Sequence, residues 1–298
     1  MLTAGASAVR WTGLSALSQA DIRAQYTKIW ADEKARSDAG SPSLYCSKAE
    51  DAVVAPIYAD LLRDLRPGLG RGQGHVLDVG SGAGRWIRFF QERVKPRTIL
   101  GVDVTAQSVE LLRSRFQPSG ATTLEFRVAD ITDPALDLGA AGFDLINIAN
   151  VLFHIPEPDL YERALTNLRR HVAPGGLVVT TEYLPRTDMR TPWMLVRSRY
   201  AFEKLVARAG FRIAEIRAFS IFTNDPMGLD GHDDGPRALF NKVRAQFQSL
   251  GNASKDPGTL AFFDELQASV DRAVLAFCRE RVADVDLPSQ KLVALVPV

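Results

Sequence analysis

Hydrophobic positions in this chain recur with two alternating periods. Short apolar runs near residues 75–79, 98–103, 123–128, 143–149 and 177–183 read as buried strands. Between them, near 84–95, 106–117 and 157–173, apolar positions fall at helical spacing. Strands alternating with amphipathic helices predict βαβ units, and so a parallel sheet with helices on both faces. Residues 48–66 predict one more helix, with Val53, Val54, Ile57, Tyr58, Leu61, Leu62 and Leu65 on its apolar face, ended by Pro67 and Gly68. Tyr200 to Ile216, with Ala-Gly-Phe at 209–211, predicts a helix entering a sixth strand that ends near Phe222. Ser289-Gln-Lys-Leu-Val-Ala-Leu-Val-Pro297 predicts a last strand.

Between those last two strands the pattern departs from a minimal α/β domain. Residues 224–288 far exceed an ordinary loop of roughly 4–6 residues. They begin with a polar Gly/Asp-rich stretch at 224–236 and continue in helical patterns near 236–250 and 258–283. The expected division is an N-terminal helical cap over 1–66, a core over 67–223, a helical insertion over 224–288 and a final core strand over 289–298. A substrate lid and a dimer interface both suit the insertion. Its Phe240, Phe247, Phe262, Phe263 and Phe277 hint at apolar enclosure, although such spacing also serves an ordinary core.

The most specific stretch is His75-Val-Leu-Asp-Val-Gly-Ser-Gly-Ala-Gly-Arg-Trp86. A strand runs through a turn of almost no side-chain bulk (Gly80 to Gly84) into a helix, so a ligand can lie on backbone amides. A dinucleotide fingerprint requires G-x-G-x-x-G with pyrophosphate on the helix N-terminus. Here the order is G-x-G-x-G, with Arg85 where the third glycine of that fingerprint falls. Asp78, two residues before the first glycine, repels pyrophosphate and suits a cation.

This hydrophobic-Asp-hydrophobic-G-x-G-x-G pattern resembles the first motif of the class I S-adenosylmethionine (SAM) methyltransferases. Further motifs follow in order. Thr98-Ile-Leu-Gly-Val-Asp103 ends in an acid suited to a ribose diol. Thr123-Leu-Glu-Phe-Arg-Val-Ala-Asp130-Ile131 closes on Ala-Asp-Ile, and Phe143-Asp-Leu-Ile-Asn-Ile-Ala-Asn-Val-Leu-Phe-His154 resembles the fourth motif. Leu168 to Tyr183, with Pro174-Gly175-Gly176, resembles the following helix, turn and fifth strand. The resemblance spans roughly 75–222 plus the last strand. It implies a Rossmann-like, doubly wound, mostly parallel seven-stranded sheet whose last strand is antiparallel.

Ligands in such sheets lie outside the carboxyl ends of the strands. The resemblance then implies a SAM site from Asp78, Gly80, Ser81, Gly82, Gly84, Arg85, Asp103, Val104, Asp130, Ile131, Ala149 and Asn150. Val104 lies against the purine, Asp130 receives the adenine amino group, and Ile131 adds backbone contacts. SAM carries an ammonium and a sulfonium, which agrees with the acid at the tip of the first strand. Tyr26, Ile29, Trp30 and Tyr45 in the N-terminal segment either close over the cofactor or pack on the helical layer.

Methyl transfer from a sulfonium requires alignment, exclusion of water and, for a hydroxyl acceptor, a base. His154, four residues beyond Asn150, is the first base candidate, although it also suits a brace for the turn before Pro156. Glu182, with Tyr183 beside it, is the second. Asp230-Gly-His-Asp-Asp-Gly235 carries cation ligands, but adjacent residues rarely complete a site and the composition is that of an exposed turn, so no metal is expected. His75 and His171 read as structural.

Composition narrows the partners. The 298 residues are 46% hydrophobic, enough for a sizeable core, and carry a net charge of +1 with acids and bases interspersed. Without a basic stripe, a small-molecule acceptor is expected rather than nucleic acid. No apolar segment reaches the roughly 18 residues of a membrane span. Cys46 and Cys278 are far apart without metal spacing, consistent with a reducing interior. The first twenty residues carry only Arg10 as a charge and no apolar core or cleavage pattern, so the cytoplasm is expected. The expected reaction is O-methylation of a small molecule, with N- or C-methylation as alternatives. A nicotinamide-dependent oxidoreductase, a non-catalytic SAM-binding partner subunit and a homodimer also remain open.

Overall fold

β1 (His75–Val79) runs through the middle of a seven-stranded sheet and is buried from its second residue to its last. The computed structural model describes residues 17–39, 48–69, 72–118, 120–139, 142–221, 256–287 and 289–298, with isolated positions between 242 and 249. Tyr45, Cys46, Phe240, Phe247 and Asp230–Gly235 lie outside the described residues. In chain order, α1 (Gln19–Asp38) and α2 (Lys48–Leu65) precede β1. There follow α3 (Arg85–Phe89), β2 (Thr98–Asp103), α4 (Ala106–Arg115), β3 (Thr123–Val128) and β4 (Phe143–Ile148). Next come α5 (Pro158–His171), β5 (Val172–Glu182), β6 (Met189–Thr191), β7 (Met194–Val196), α6 (Arg199–Arg208) and β8 (Phe211–Phe219). The chain closes with α7 (Pro257–Arg279) and β9 (Gln290–Pro297).

The large sheet has the order β3-β2-β1-β4-β5-β9-β8, and β9 pairs antiparallel with both neighbours, as expected. Sheet register explains the apolar runs. Val76 faces a core shared with Val54, Tyr58 and Leu61 of α2, Phe89 of α3 and Leu112 of α4. Leu77 and Val79 face the opposite core, with Tyr161, Leu165 and Leu168 of α5 and Phe202 of α6. A strand buried on both faces has no reason to alternate polar residues, so its sequence is nearly continuously apolar. Parallel register also brings the carboxyl ends of β1, β2, β3 and β4 to one edge of the sheet.

Three local features differ from the expectation. The helix predicted over 84–95 is α-helical only through Phe89, and Phe90–Val94 form a π turn that stops at Lys95 (φ 56°). β5 starts at Val172 rather than 177, because its register shifts against β4 between Phe143 and Leu145 and the Pro174-Gly175-Gly176 turn becomes an irregularity within the strand. The β6–β7 hairpin was not foreseen; each arm has three residues, too few to show a period. Its Met189, Met194 and Val196 pack with Phe153 and Tyr183.

The described part of the insertion, α7, lies against α2, and Leu275 packs with Ala218, Ile221 and Leu287. Buried Asp271 accepts a hydrogen bond from the Ile221 amide at 2.5 Å. At the start of β9 the fully buried Lys291 donates to the carbonyls of Tyr183, Leu287 and Ser289 at 2.7–2.8 Å, tying β5 to the segment that leads into β9. Replacing Lys291 by methionine keeps the stem and leaves those carbonyls without the ammonium. Each buried unsatisfied group costs about 1–3 kcal/mol. Lys291→Met is therefore expected to lower stability by about 2–4 kcal/mol in urea unfolding, with affinity for S-adenosylhomocysteine (SAH) unchanged. A loss under about 1 kcal/mol contradicts this account.

Candidate functional site

The glycine turn after β1 takes a path that side chains resist. Gly80 and Gly82 have φ of 70° and 50°, a region favouring glycine. A Cβ on Gly80 overlaps Val151, and one on Gly82 comes within 2.8 Å of the Trp30 ring. The turn is held from behind by Asp103, at the tip of β2. Its Oδ2 accepts from the Gly82 amide at 3.0 Å, and its Oδ1 accepts from the amide and hydroxyl of Thr105 at 3.0 and 2.8 Å. A carboxylate accepts about four such bonds, which leaves Asp103 capacity for a ligand hydroxyl.

Asp78 lies deeper, at 1% exposure. Its Oδ1 accepts from Asn147 Nδ2 at 2.6 Å, and the Asn147 Oδ1 accepts from the Tyr58 hydroxyl at 2.9 Å. Its Oδ2 is buried with no hydrogen-bond partner. Burial pushes the Asp78 carboxyl up to about 7, opposed by the Asn147 hydrogen bond and by the nearby Ser81 hydroxyl, which donates to the Asp78 backbone carbonyl at 2.9 Å, and reinforced by the charge of Asp103.

At the carboxyl ends of these strands lies a cavity of about 710 Å³, including space open to solvent. It is lined by Val79, Gly80, Asp103, Val104, Asp130, Ile131 and Asn150 on one side and by Gln19, Ile22, Arg23, Tyr26 and Trp30 of α1 on the other. His154, Val151 and Ile155 close one wall. α1 is fastened beyond the cavity by buried Glu33, which pairs with Arg115 of α4 at 3.2 Å, and by Trp30 packed on Ala83 and Leu111.

Of the residues expected to hold SAM, Gly80, Asp103, Val104, Asp130, Ile131 and Asn150 line the cavity. Asn150 takes a left-handed conformation (φ 58°), and its Oδ1 accepts from Thr181 Oγ1 and Gln290 Nε2. Asp78, Ser81, Gly82, Gly84 and Ala149 support the lining from behind without forming it. Asp130 is already engaged. Its Oδ1 accepts from the amide and hydroxyl of Thr132 at 2.8 and 2.7 Å, and Arg23 of α1 pairs with its Oδ2.

Two expectations are corrected. Arg85 does not line the cavity: as the first residue of α3 it turns to Asp51 of α2 at 2.5 Å and to the Trp86 ring. Glu182 does not line it either. The carboxylate is 2% exposed and accepts from Thr180 Oγ1 at 3.1 Å; burial pushes it up to about 8, despite Thr180 and the charge of Arg197. In this arrangement the Glu182 carboxyl is packed within the sheet and does not face the cavity.

His154 stands differently. Its Nε2 is 2.7 Å from the Tyr26 hydroxyl and its Nδ1 is 3.2 Å from the carbonyl of Trp193, in the turn of the β6–β7 hairpin. Burial lowers its pKa to about 4, although the Trp193 carbonyl favours the charged ring. The imidazole is therefore neutral at physiological pH, as a proton acceptor must be. Sequence reasoning missed Gln19, Ile22 and Arg23 as cavity residues and Trp193 as the partner of His154. Only the helical spacing of 19, 22, 23, 26 and 30 carried a signal for the first group.

These features fit SAM. The buried, unpartnered Asp78 Oδ2 sits just behind Val79 and Gly80, which favours a cation. The glycines of the turn leave room for the Val151 and Trp30 side chains that border the cavity, and Asp103 offers acceptor capacity. Among the described residues there is no group of three or more His, Cys, Asp or Glu able to hold a metal, and no helix is long and apolar enough to cross a membrane. No residue of α7 lines the cavity.

Comparison with known proteins agrees with this geometry. Residues 76–176 match a family model described as a methyltransferase domain. The erythromycin 3''-O-methyltransferase of Saccharopolyspora erythraea is 29% identical over 185 residues, which covers 61% of this chain and 58% of that protein. The [4+2]-cyclase SpnF superposes with a TM-score of 0.55 at 17% identity, over 96% of this chain and 99% of that one. Magnesium protoporphyrin IX methyltransferase (ChlM) from Synechocystis PCC 6803, solved with bound SAM, superposes with a TM-score of 0.51 at 16% identity, over 70% and 93%. At such identities the structures share the fold alone.

Burial of Asp78 has a consequence for stability. A folded-state value near 7, above the ordinary 3.8, means that the folded protein holds a proton the unfolded chain releases as pH rises between those values. The Asp78 contribution to stability without ligand therefore falls as pH rises from about 4 through about 7, Glu182 adds the same slope up to about 8, and His154, lowered to about 4, contributes the opposite slope between about 4 and 6.5. Asp78→Asn is expected to flatten part of that slope, leaving the variant more stable than wild type at pH 8 by on the order of 2–4 kcal/mol, measured by urea unfolding across pH. An unchanged slope contradicts the assignment.

Proposed function

We propose that this chain, whose residues 76–176 match a family model described as a methyltransferase domain, is a class I SAM-dependent methyltransferase that transfers a methyl group to a hydroxyl of a small molecule. One observation carries the choice of a hydroxyl: a neutral histidine, His154, at the wall of the cavity, with its tautomer held by a backbone carbonyl. An attacking hydroxyl must lose a proton, and a positioned neutral imidazole can receive it. When bound, SAM supplies an activated methyl carbon on a sulfonium. The protein's part is to hold the donor, align the acceptor and keep water out.

Asp103 would hold the ribose hydroxyls, Val104 and Ile131 would enclose the purine, and Asp130 would take the adenine amino group. Asp78 would sit behind the positively charged part of the ligand. The Saccharopolyspora relative, an erythromycin 3''-O-methyltransferase, supports an oxygen acceptor. The match spans 58% of that relative, so the acceptor's identity is part of the proposal. The reading includes a cytoplasmic location, a freely diffusing acceptor rather than nucleic acid, and a chain that acts as itself or as a homodimer.

A second reading follows from the fold relative that is a [4+2]-cyclase: a SAM-binding chain that transfers no methyl group. Labelled SAM separates the two. Purified protein is incubated with methyl-labelled SAM and a panel of hydroxyl acceptors (3''-O-demethylerythromycin, methyl glycosides, catechol) beside amines and a metabolite extract. The proposal predicts label in an O-methyl product, and loss of at least about tenfold in SAH affinity, near 1.4 kcal/mol, for Asp103→Ala. Label on nitrogen or carbon alone contradicts the hydroxyl reading. SAH binding with no label transferred to any acceptor favours the second reading.

A further inference from the structure

His154 cannot meet an acceptor directly in the observed arrangement. A carbonyl oxygen only accepts, so the 3.2 Å contact between Nδ1 and the Trp193 carbonyl places the ring hydrogen on Nδ1. A neutral imidazole then has its one acceptor lone pair on Nε2. That lone pair faces the Tyr26 hydroxyl at 2.7 Å, so the hydroxyl donates to it. The ring of Tyr26 is fixed on two sides. It stands edge-on to His154, with centroids 5.1 Å apart at 71°, and it stacks with Trp30 at 6.4 Å and 28°. Trp30 in turn rests against Gly82 of the cofactor turn. Both Tyr26 and His154 line the cavity, and a phenolic oxygen that donates one hydrogen still has lone pairs to accept another.

We propose that Tyr26 is a catalytic residue of the acceptor site, its hydroxyl passing the acceptor's proton to Nε2 of His154. The proposal rests on the hydroxyl-methylation reading above. In the step, the acceptor O–H gives its proton to the Tyr26 oxygen while the Tyr26 O–H gives its own to Nε2. The freed oxygen pair forms the bond to the methyl carbon, and the pair of the carbon–sulfur bond returns to sulfur, leaving a neutral thioether. Tyr26 ends with one proton, as it began. His154 ends as an imidazolium with Nδ1–H still on the Trp193 carbonyl, and it sheds the Nε2 proton to water on product release. The burial that lowers the His154 pKa to about 4 favours that last loss.

The relay also gives α1 a chemical part. Residues 23, 26 and 30 lie on one face of the helix, so the element that fastens to Asp130 through Arg23 also presents Tyr26 to His154. The helix thereby joins the adenine end of the cavity to the end where the proton moves.

The test compares wild type, Tyr26→Phe, His154→Gln and the double variant. It reads turnover of labelled SAM with 3''-O-demethylerythromycin and with catechol, and SAH affinity by calorimetry. Tyr26→Phe keeps the ring and removes only the hydroxyl. Expected is a kcat loss of about 10²-fold or more in each single variant, SAH affinity within about threefold of wild type, and a double variant no worse than the poorer single. A second readout needs no acceptor. In ¹⁵N-histidine spectra of the SAH complex, Nδ1 of His154 is expected to be protonated and Nε2 unprotonated, and the Nε2 signal should move downfield in Tyr26→Phe as it loses its donor. Near-wild-type kcat in Tyr26→Phe, additive losses in the double variant, or a protonated Nε2 overturns the relay alone. Wild-type protein that binds SAH but labels no hydroxyl among these probes, the methyl glycosides or the metabolite extract overturns the relay together with the hydroxyl reading.

Discussion

A carboxylate buried at the tip of the central strand is the constraint on which the rest of this structure turns. Asp78 is nearly without exposure, one of its oxygens has no hydrogen-bond partner, and its other partner is a neutral amide. In isolation that arrangement is costly, since burial disfavours the charged form. The surrounding polar chain from Asn147 to Tyr58 fixes the carboxylate in place without neutralising it. Val79 and Gly80, which follow Asp78 in the chain, line the cavity. A positively charged ligand bound nearby would remove that cost, and on the proposed reading this would favour cations over phosphates. This is why the site suits a sulfonium donor where a dinucleotide-binding sheet of the same architecture suits pyrophosphate.

The second organising element is α1, which crosses the cavity above the strand tips. Its anchorage is divided: Glu33 and Trp30 hold it to α4 and the glycine turn, whereas Arg23 and Tyr26 meet polar groups of the cavity itself. The β6–β7 hairpin contributes a single backbone carbonyl, and that carbonyl decides which nitrogen of His154 can accept a proton. The groups that meet His154 are thus a carbonyl and a phenol, placed by elements outside the seven-stranded sheet.

How much of this was legible in the sequence depends on the range of the interaction. Asp78, Asp103 and Asp130 could be read as one site because each ends a strand, and parallel strands bring their carboxyl ends to one edge. β9 was legible as a strand from its apolar run, and its antiparallel direction followed from the family resemblance. Arg85 and Glu182 were misread for a common reason: position at an element's end says nothing about which way the side chain leaves it. Asp51, 34 residues before Arg85 in the chain, draws that guanidinium away, and burial behind β5 removes Glu182 from the cavity. The contacts from Tyr58 to Asn147 and from Tyr26 to His154 span 89 and 128 residues, and no local pattern announces them. The hairpin escaped because three-residue arms carry no period.

Proton release on SAM binding tests the central claim most directly. At pH 6 the ligand's ammonium is already charged, whereas Asp78, with a value near 7, is mostly protonated in the empty protein. A cation bound beside it should drive it to ionise. Calorimetry of SAM binding in buffers of different ionisation enthalpy is predicted to show release of most of one proton at pH 6, absent in Asp78→Asn. Binding without proton release, or release that persists in Asp78→Asn, contradicts the claim that this buried acid selects the ligand.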